Sequence, residues 1–167
     1  MSKQNYSNHS HQHKKNGNNK NSTVKDQEKQ SSVDDIKNQY FKGTYDYLLK
    51  LFDKGVPLDK VFDSIKDFVE KEFKKKKKEG KHEYEDILTT TQLRNIYTKV
   101  VLTKEVSELK MLRPNLAYIA ARQNKAKNII KFIDQLIQKV NNEQQLKSFK
   151  KVMESFVAYH KFHHNSK

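Results

Sequence analysis

The residues best suited to bind a charged ligand are three arginines, Arg94, Arg113 and Arg122, which lie in one short stretch of helical pattern. Every other basic residue among the 34 lysines and arginines is a lysine. A guanidinium is a planar, permanently charged fork of donors that matches a phosphate, whereas a lysine ammonium is a mobile point charge. In a lysine-rich chain these arginines indicate contacts of defined geometry, either with a phosphate-bearing ligand or with a carboxylate inside the fold.

Positive charge is concentrated in the C-terminal half. Residues 1–32 carry a net charge of +4, residues 33–86 are neutral, and residues 87–167 carry +10 of the total of +14. Such asymmetry favours a polyanionic partner, nucleic acid first and an anionic membrane second. An AT-rich genome would also enrich lysine, but codon bias does not explain why acidic residues become rare after Asp86.

No catalytic constellation is evident. The chain has no cysteine, which excludes disulfides, thiolate metal sites and a cysteine nucleophile. Neither a P-loop nor a dinucleotide-binding glycine motif occurs, and Glu105 and Glu108 are better interpreted as ion-pair partners than as an acid–base pair. We therefore expect a binding subunit with no enzymatic activity and no cofactor.

Histidines supply two patterns that could hold a metal ion. They are a helical i, i+3, i+4 set, His160, His163 and His164, and an alternating set, His9, His11 and His13. The first set stands near a chain terminus with no evident supporting carboxylate, and the second lies in a low-complexity tract. We expect neither to be a metal site.

Composition predicts an all-α protein, a compact bundle of about five helices preceded by an arm. Residues 1–32 are rich in Asn, Ser, Lys and His with almost nothing to bury, so a disordered arm is expected there. Residues 33–163 are expected to form the bundle. No apolar run is long enough to span a bilayer or to act as a secretion signal, so a cytoplasmic protein is expected.

The first half of the bundle is predicted to be a helical hairpin, residues 33–79. Ser32 is a plausible N-cap, and apolar residues at three- and four-residue steps predict one helix over 36–52 that ends before Gly55. Pro57 is predicted to open a second helix whose apolar stripe runs from Leu58 to Phe73. The run Lys74–Lys78 would close that helix, and residues 79–86 would form a charged linker.

The second half, residues 87–163, should position the arginines. Thr89 and Gln92 have the spacing of a capping box, and the helix that they open has a predicted buried face of Leu93, Ile96, Tyr97, Val100 and Val101. Arg94 lies at one edge of that stripe and Lys99 on the other side. Pro114 restarts a helix on which Tyr118 and Arg122 are one turn apart and face away from the core. Lys125 and Lys127 follow, and two further apolar helices, separated at Asn141, complete the bundle.

Stacked Tyr118 and Arg122 would suit RNA, because such planes can lie against bases or backbone. The same surface would equally suit the docking of another subunit.

Three stretches taken together resemble one family. Residues 89–94 (TTTQLR) resemble a threonine-led helix start, residues 112–122 (LRPNLAYIAAR) are similar to an "L(K/R)PxLAYxAGR" segment, and residues 156–161 (FVAYHK) resemble a "(I/V)VAYHK" ending. These motifs belong to the small helical subunit of type III-A CRISPR effector (Csm) complexes, and the resemblance covers roughly residues 87–163. Ala121 replaces a frequent glycine, and the arm and the 33–79 hairpin exceed the short lead-in expected of the family.

The resemblance implies a five-helix bundle without catalytic activity that stacks as a minor filament beside the backbone subunits and near the large polymerase–nuclease subunit. Such a subunit holds the crRNA–target RNA duplex through its sugar-phosphate backbone. Carried onto this sequence, Arg94 and Arg122 are the first candidates for RNA contacts, and the charge pattern adds Lys99, Lys125 and Lys127. A structural role remains open for Arg113. Packing is the favoured role of three tyrosines, Tyr97, Tyr118 and Tyr159.

Two alternatives remain at this point. One is a stand-alone basic helical nucleic-acid-binding protein, which would bind duplex DNA about as tightly as RNA. The other is a membrane-surface protein that uses the basic amphipathic segment 57–78.

Overall fold

The computed structural model describes residues 32–76 and 84–165, and its fold confirms the all-α class. The predicted disordered arm lies, apart from Ser32, outside the described residues. The α-helices of the described part are α1 (Val33–Tyr40), α2 (Leu58–Glu72), α3 (Thr90–Leu102), α4 (Val106–Met111), α5 (Arg113–Arg122), α6 (Lys127–Lys139) and α7 (Glu143–Asn165). Two three-residue strands, β1 (Lys74–Lys76) and β2 (Tyr84–Asp86), pair antiparallel between α2 and α3.

The prediction of one helix over 36–52 is wrong, because α1 ends at Tyr40. Its start is as expected, because Ser32 is the N-cap, and Ser32 also forms a reciprocal capping box with Asp35. The chain then turns through Gly43, whose φ of +79° is readily adopted only by glycine, and enters a single 3₁₀ turn at Tyr45–Tyr47. Apolar residues three apart are neighbours in 3₁₀ turns as well as in α-helices, so the same apolar spacing fits the observed compact turns.

The lysine run does not close α2, which is a second correction. Helix α2 ends at Glu72, and the first lysines of the run form β1, in which Lys74 is paired with Asp86 and Lys75 with Glu85. The predicted charged linker therefore contributes β2 at its C-terminal end. Pairing between residues about ten apart leaves no periodic signal in either segment alone, which explains why the sequence pattern missed this ribbon.

Helix α3 begins as predicted, but the burial predicted for Val101, near its C-terminal end, is wrong. Thr89 and Gln92 form the capping box, and Leu93, Ile96 and Val100 are buried. Val101, predicted to be buried, is instead 42% exposed.

Lys150 of α7 stabilises the C-terminal end of α3. Its Nζ donates to the carbonyl oxygens of Val101 (3.1 Å) and Thr103 (2.5 Å). A cation is favourable at this end of a helix because the terminal carbonyls have no intrahelical donors.

Phe68 of α2 lies at the centre of the hydrophobic core. Its ring centroid is 5.4 Å from those of Phe41 and Phe73, 5.1 Å from that of Phe132 on α6 and 5.5 Å from that of Phe156 on α7. All five rings are at most 1% exposed. The segment that precedes α2 is therefore part of the same hydrophobic core as the long C-terminal helices and does not merely lie on the surface of that core.

Two polar contacts, one buried and one partly buried, fix the N-terminal segment further. The Ser148 hydroxyl on α7 accepts a hydrogen bond of 3.1 Å from the backbone N–H of Leu51. The Tyr40 hydroxyl donates to Glu72 Oε1 at 2.8 Å. Burial, with the added effect of the Glu72 carboxylate, raises the pKa of Tyr40 well above its ordinary value.

No helix within the described residues has the length and apolar character needed to cross a bilayer.

Candidate nucleic-acid interface

The start of α3 is attached to the end of α7 by a polar contact. Thr90 Oγ1 lies 3.0 Å from Nδ1 of His160, whose side chain is almost fully buried. The His160 ring also packs edge-on against Phe73, at 5.8 Å between centroids. These contacts fix the first turn of α3 relative to the bundle, and Arg94 follows Thr90 by one helical turn.

Arg94 is exposed on α3 and makes no ion pair or hydrogen bond with any other described residue. Helix α3 packs chiefly against α7. Arg94 lies away from that contact, and its guanidinium is in solvent. Among the described residues, no group therefore competes with an external anion for the donors of Arg94.

Lys99 is exposed too, but it is directed differently. Five residues separate it from Arg94, which places the two side chains about 140° apart around the helix axis. The Lys99 Nζ donates to Asn115 Oδ1 on α5 at 2.9 Å. Lys99 thus links α3 to α5, and α3 does not present both cations on one face.

Tyr118 and Arg122 of α5 form the contact expected from their spacing. The Arg122 guanidinium carbon is 5.5 Å from the Tyr118 ring centroid, and Nη1 donates to the Tyr118 hydroxyl at 2.8 Å. Both side chains are exposed, with Tyr118 at 58%. The packing interpretation is therefore wrong for Tyr118, although Tyr97 and Tyr159 are partly buried and do pack against the core.

Lys125 and Lys127 lie just beyond this pair, at the corner between α5 and α6. A single 3₁₀ turn, Asn124–Ala126, anchors the corner through the buried Ala126, and both lysines are exposed. Together with Arg122 they place three cations within six residues of chain. This corner is the densest basic feature among the predicted site residues.

Arg113 has a structural role. Its Nε donates to Asp134 Oδ1 at 2.7 Å, and its Nη2 donates to Oδ2 at 3.2 Å, so the guanidinium is paired through two donors with a carboxylate of α6. The hydrogen bonds to Asp134 raise the pKa of Arg113 above its ordinary value. The sequence left this role open, and the fold assigns Arg113 to the α5–α6 contact.

The C-terminal histidines do not converge on a metal site within the described part of the chain. His160 faces Thr90, whereas His163 Nε2 lies 3.7 Å from Glu70 Oε2. The side chain of His164 and the set His9, His11 and His13 lie outside the described residues.

Four of the five predicted site residues therefore fall into two patches. The α3 patch consists of Arg94, and the corner patch consists of Arg122, Lys125 and Lys127. Lys99 belongs to neither patch, because it lies on a different side of α3. Helix α3 packs on α7, and helix α5 packs on α6. The Lys99–Asn115 hydrogen bond connects α3 to α5. Neither patch contains a group suited to proton transfer, and both are suited to neutralising phosphates.

Sequence reasoning missed the open groove between α5 and α6, which has a cavity volume of about 600 Å³. Its lining includes Ala117, Ala120 and Ala121 of α5. The signal was present as a cluster of small residues in one helix, but a pattern of small residues does not show whether they face a neighbour or solvent.

Comparison with known proteins identifies a family. The family model described as Csm2 Type III-A matches residues 66–166, which is more than half of the chain and runs from the middle of α2 beyond the end of α7. Residues 33–65, which contribute Phe41 to the core, precede the matched segment. No curated protein and no solved structure matches the chain.

Proposed function

Because the chain belongs to the Csm2 Type III-A family and is thus a small subunit of type III-A CRISPR (Csm) complexes, we propose that it is a non-catalytic subunit that holds RNA there. In this proposal copies stack as a minor filament and contact the backbone of the crRNA–target RNA duplex. Its role in antiviral defence is to support the duplex, while chemistry belongs to other subunits.

The observation that carries the proposal is the different use of the three arginines. Arg113 is paired with Asp134, whereas Arg94 and Arg122 are exposed and pair with no carboxylate of the described residues. A chain that otherwise uses lysine has thus placed two guanidiniums at its surface. Planar two-donor recognition of a phosphate is the contact that arginine makes better than lysine.

The corner patch would bind phosphate through complementary parts. The Tyr118 ring and hydroxyl hold one side of the Arg122 guanidinium, which reduces the side-chain freedom lost on binding. The remaining guanidinium N–H groups can donate hydrogen bonds to a pair of phosphate oxygens, and Lys125 and Lys127 add nearby positive charge. Such contacts set position and affinity without reading bases. Sequence choice then comes from pairing between guide and target RNA.

Affinity purification of the tagged protein from its own host, with sequencing of bound RNA and mass spectrometry of bound proteins, tests the proposal. We expect short CRISPR-derived RNAs together with a large polymerase-like subunit and repeat-binding partners. Bulk RNA or DNA with no constant protein partner would overturn the proposal and favour a stand-alone basic nucleic-acid-binding protein.

A further inference from the structure

The groove between α5 and α6 lies largely outside the proposed RNA contacts, of which only Lys127 lines it. Its floor is apolar and includes Leu116 and Ala120 of α5 and Ile130 of α6, all nearly buried. The groove itself is open to solvent along the two helices. A phosphate backbone gains nothing from an apolar floor, so this surface suits a protein ligand.

The α5 wall is low because it is built from small side chains. Ala117 and Ala121 are exposed and line the groove, one turn apart on the helix. Small residues at such spacing leave room for the backbone of another helix to approach closely, and large apolar side chains of that helix would fill the space between α5 and α6.

The charges at the groove are unbalanced. Arg113 and Asp134 both line it, but they pair with each other. Lys127 and Lys131 line it as well, and they are exposed cations of α6. A ligand that complements this rim must carry acidic residues beside an apolar stripe.

We propose that the groove is a docking site for an amphipathic helix of another protein subunit, with acidic side chains flanking its apolar stripe. This inference rests on the proposed function as a subunit. It specifies which surface of the protein binds a partner and what kind of helix that partner presents. Lys127, a candidate RNA contact, then belongs to the rim of a protein interface.

A second copy of the chain is a poor occupant. Among the described helices, α1 and α2 carry more acidic than basic residues, and their apolar stripes are already used. Ile36 of α1 and Val61, Ile65 and Phe68 of α2 are fully buried in the chain's own core. Within the part of the chain that the structure describes, a neighbouring copy therefore offers no acidic helix with an available apolar stripe.

Site-specific photo-crosslinking in the complex assembled in its own host tests the inference. A benzophenone amino acid replaces Ala121 in the groove, or, as control, the exposed Ala158 of α7. We expect Ala121 to cross-link to an acidic amphipathic helix of a different protein subunit, identified by mass spectrometry of the linked peptide, and Ala158 not to give this product. Cross-linking to a second copy or to RNA, or no cross-link at all from Ala121, would overturn the proposal.

Two substitutions separate docking from RNA binding. Ala121→Trp fills the groove, with Ala158→Trp as its control, and Lys131→Glu reverses a rim charge, with Lys147→Glu of α7 as its control. We expect each groove variant to enter the complex at least about tenfold less than its control, as a loss of roughly 1.4 kcal/mol would give. RNA binding by each isolated groove variant should match that of its control. Equal incorporation of groove and control variants would contradict the docking site even if RNA binding is confirmed.

Discussion

The hydroxyl of Thr90 lies 3.0 Å from Nδ1 of His160. The contact joins the beginning of α3 to the C-terminal part of α7, across 70 residues of chain. Thr90 lies in residues 89–94 and His160 in residues 156–161, which are two of the three stretches that resemble the family. The two motifs therefore meet at one junction, and its effect is to fix the helix turn that precedes Arg94.

Replacing Thr90 with valine tests the junction, because it keeps the shape of the side chain and removes the hydroxyl. His160 would then lose this hydrogen bond in a buried position, and we expect a loss of about 1–3 kcal/mol in the free energy of unfolding. Urea denaturation followed by circular dichroism measures it. Thr98→Val, at an exposed position of the same helix, is the control, with an expected change within about 0.5 kcal/mol. Equal effects of the two substitutions would contradict a structural role for the Thr90–His160 contact.

Phe41→Ala tests whether the segment before the matched family region belongs to the core. Phe41 is buried against Phe68 and is stacked on Phe132 at 5.1 Å. We expect the free energy of unfolding to fall by about 3–5 kcal/mol, the range for a buried phenylalanine. Phe52, at 56% exposure, supplies the control. If Phe41→Ala costs no more than Phe52→Ala, the segment packs only loosely on the bundle.

Local signals in the sequence predicted local structure well. Ser32 was predicted as an N-cap and Thr89 with Gln92 as a capping box, and both predictions are confirmed; each cap joins residues only three apart in the chain. The stacking of Arg122 on Tyr118 was predicted for the same reason.

Features that depend on distant residues could not be predicted in the same way. The pairing of β1 with β2, the capping of α3 by Lys150 and the hydrogen bond from Lys99 to Asn115 all join separate elements. The division of the predicted site into two patches follows from such contacts. Arginine content identified Arg113 as a candidate, but only the packing of α5 on α6 shows that Asp134 is its partner.

The titration of Tyr40 should make the stability of the folded protein depend on pH in the alkaline range. Burial and Glu72 raise its pKa, so the folded protein retains a proton that the unfolded chain releases above about pH 10. The contribution of Tyr40 to stability is therefore fully present below about pH 10 and declines as the pH rises further. Tyr40→Phe removes this titration, and we expect its stability to fall less steeply than that of the wild type between pH 9.5 and 11.

Denaturation curves at several pH values provide the measurement, with the exposed Tyr118→Phe as control. Identical slopes for the wild type and Tyr40→Phe would show that Tyr40 does not contribute to the alkaline loss of stability.

Salt dependence reports how many phosphates a protomer neutralises. If about three cations contact single-stranded RNA, log K should fall with log salt concentration at a slope near −2, because each contact contributes about −0.7. Removing Arg122 should make the slope shallower by about 0.7. A titration of labelled RNA at four or more salt concentrations measures both values, and an affinity independent of salt would contradict backbone contacts.

The most direct test of the central claim is RNA affinity of the isolated protein with Arg94→Ala and Arg122→Ala combined. The matched control, Lys60→Ala with Lys66→Ala, removes the same charge from exposed positions on α2. A second control, Arg113→Ala, removes an arginine that is paired with Asp134. Fluorescence anisotropy with two RNAs of unrelated sequence measures the affinity, while circular dichroism confirms the helical fold. We predict that the double arginine variant binds both RNAs at least about tenfold more weakly than the wild type, since charged hydrogen bonds contribute about 1.5–3 kcal/mol each. The two controls should stay close to the wild type. Unchanged affinity in a folded double arginine variant would contradict the account.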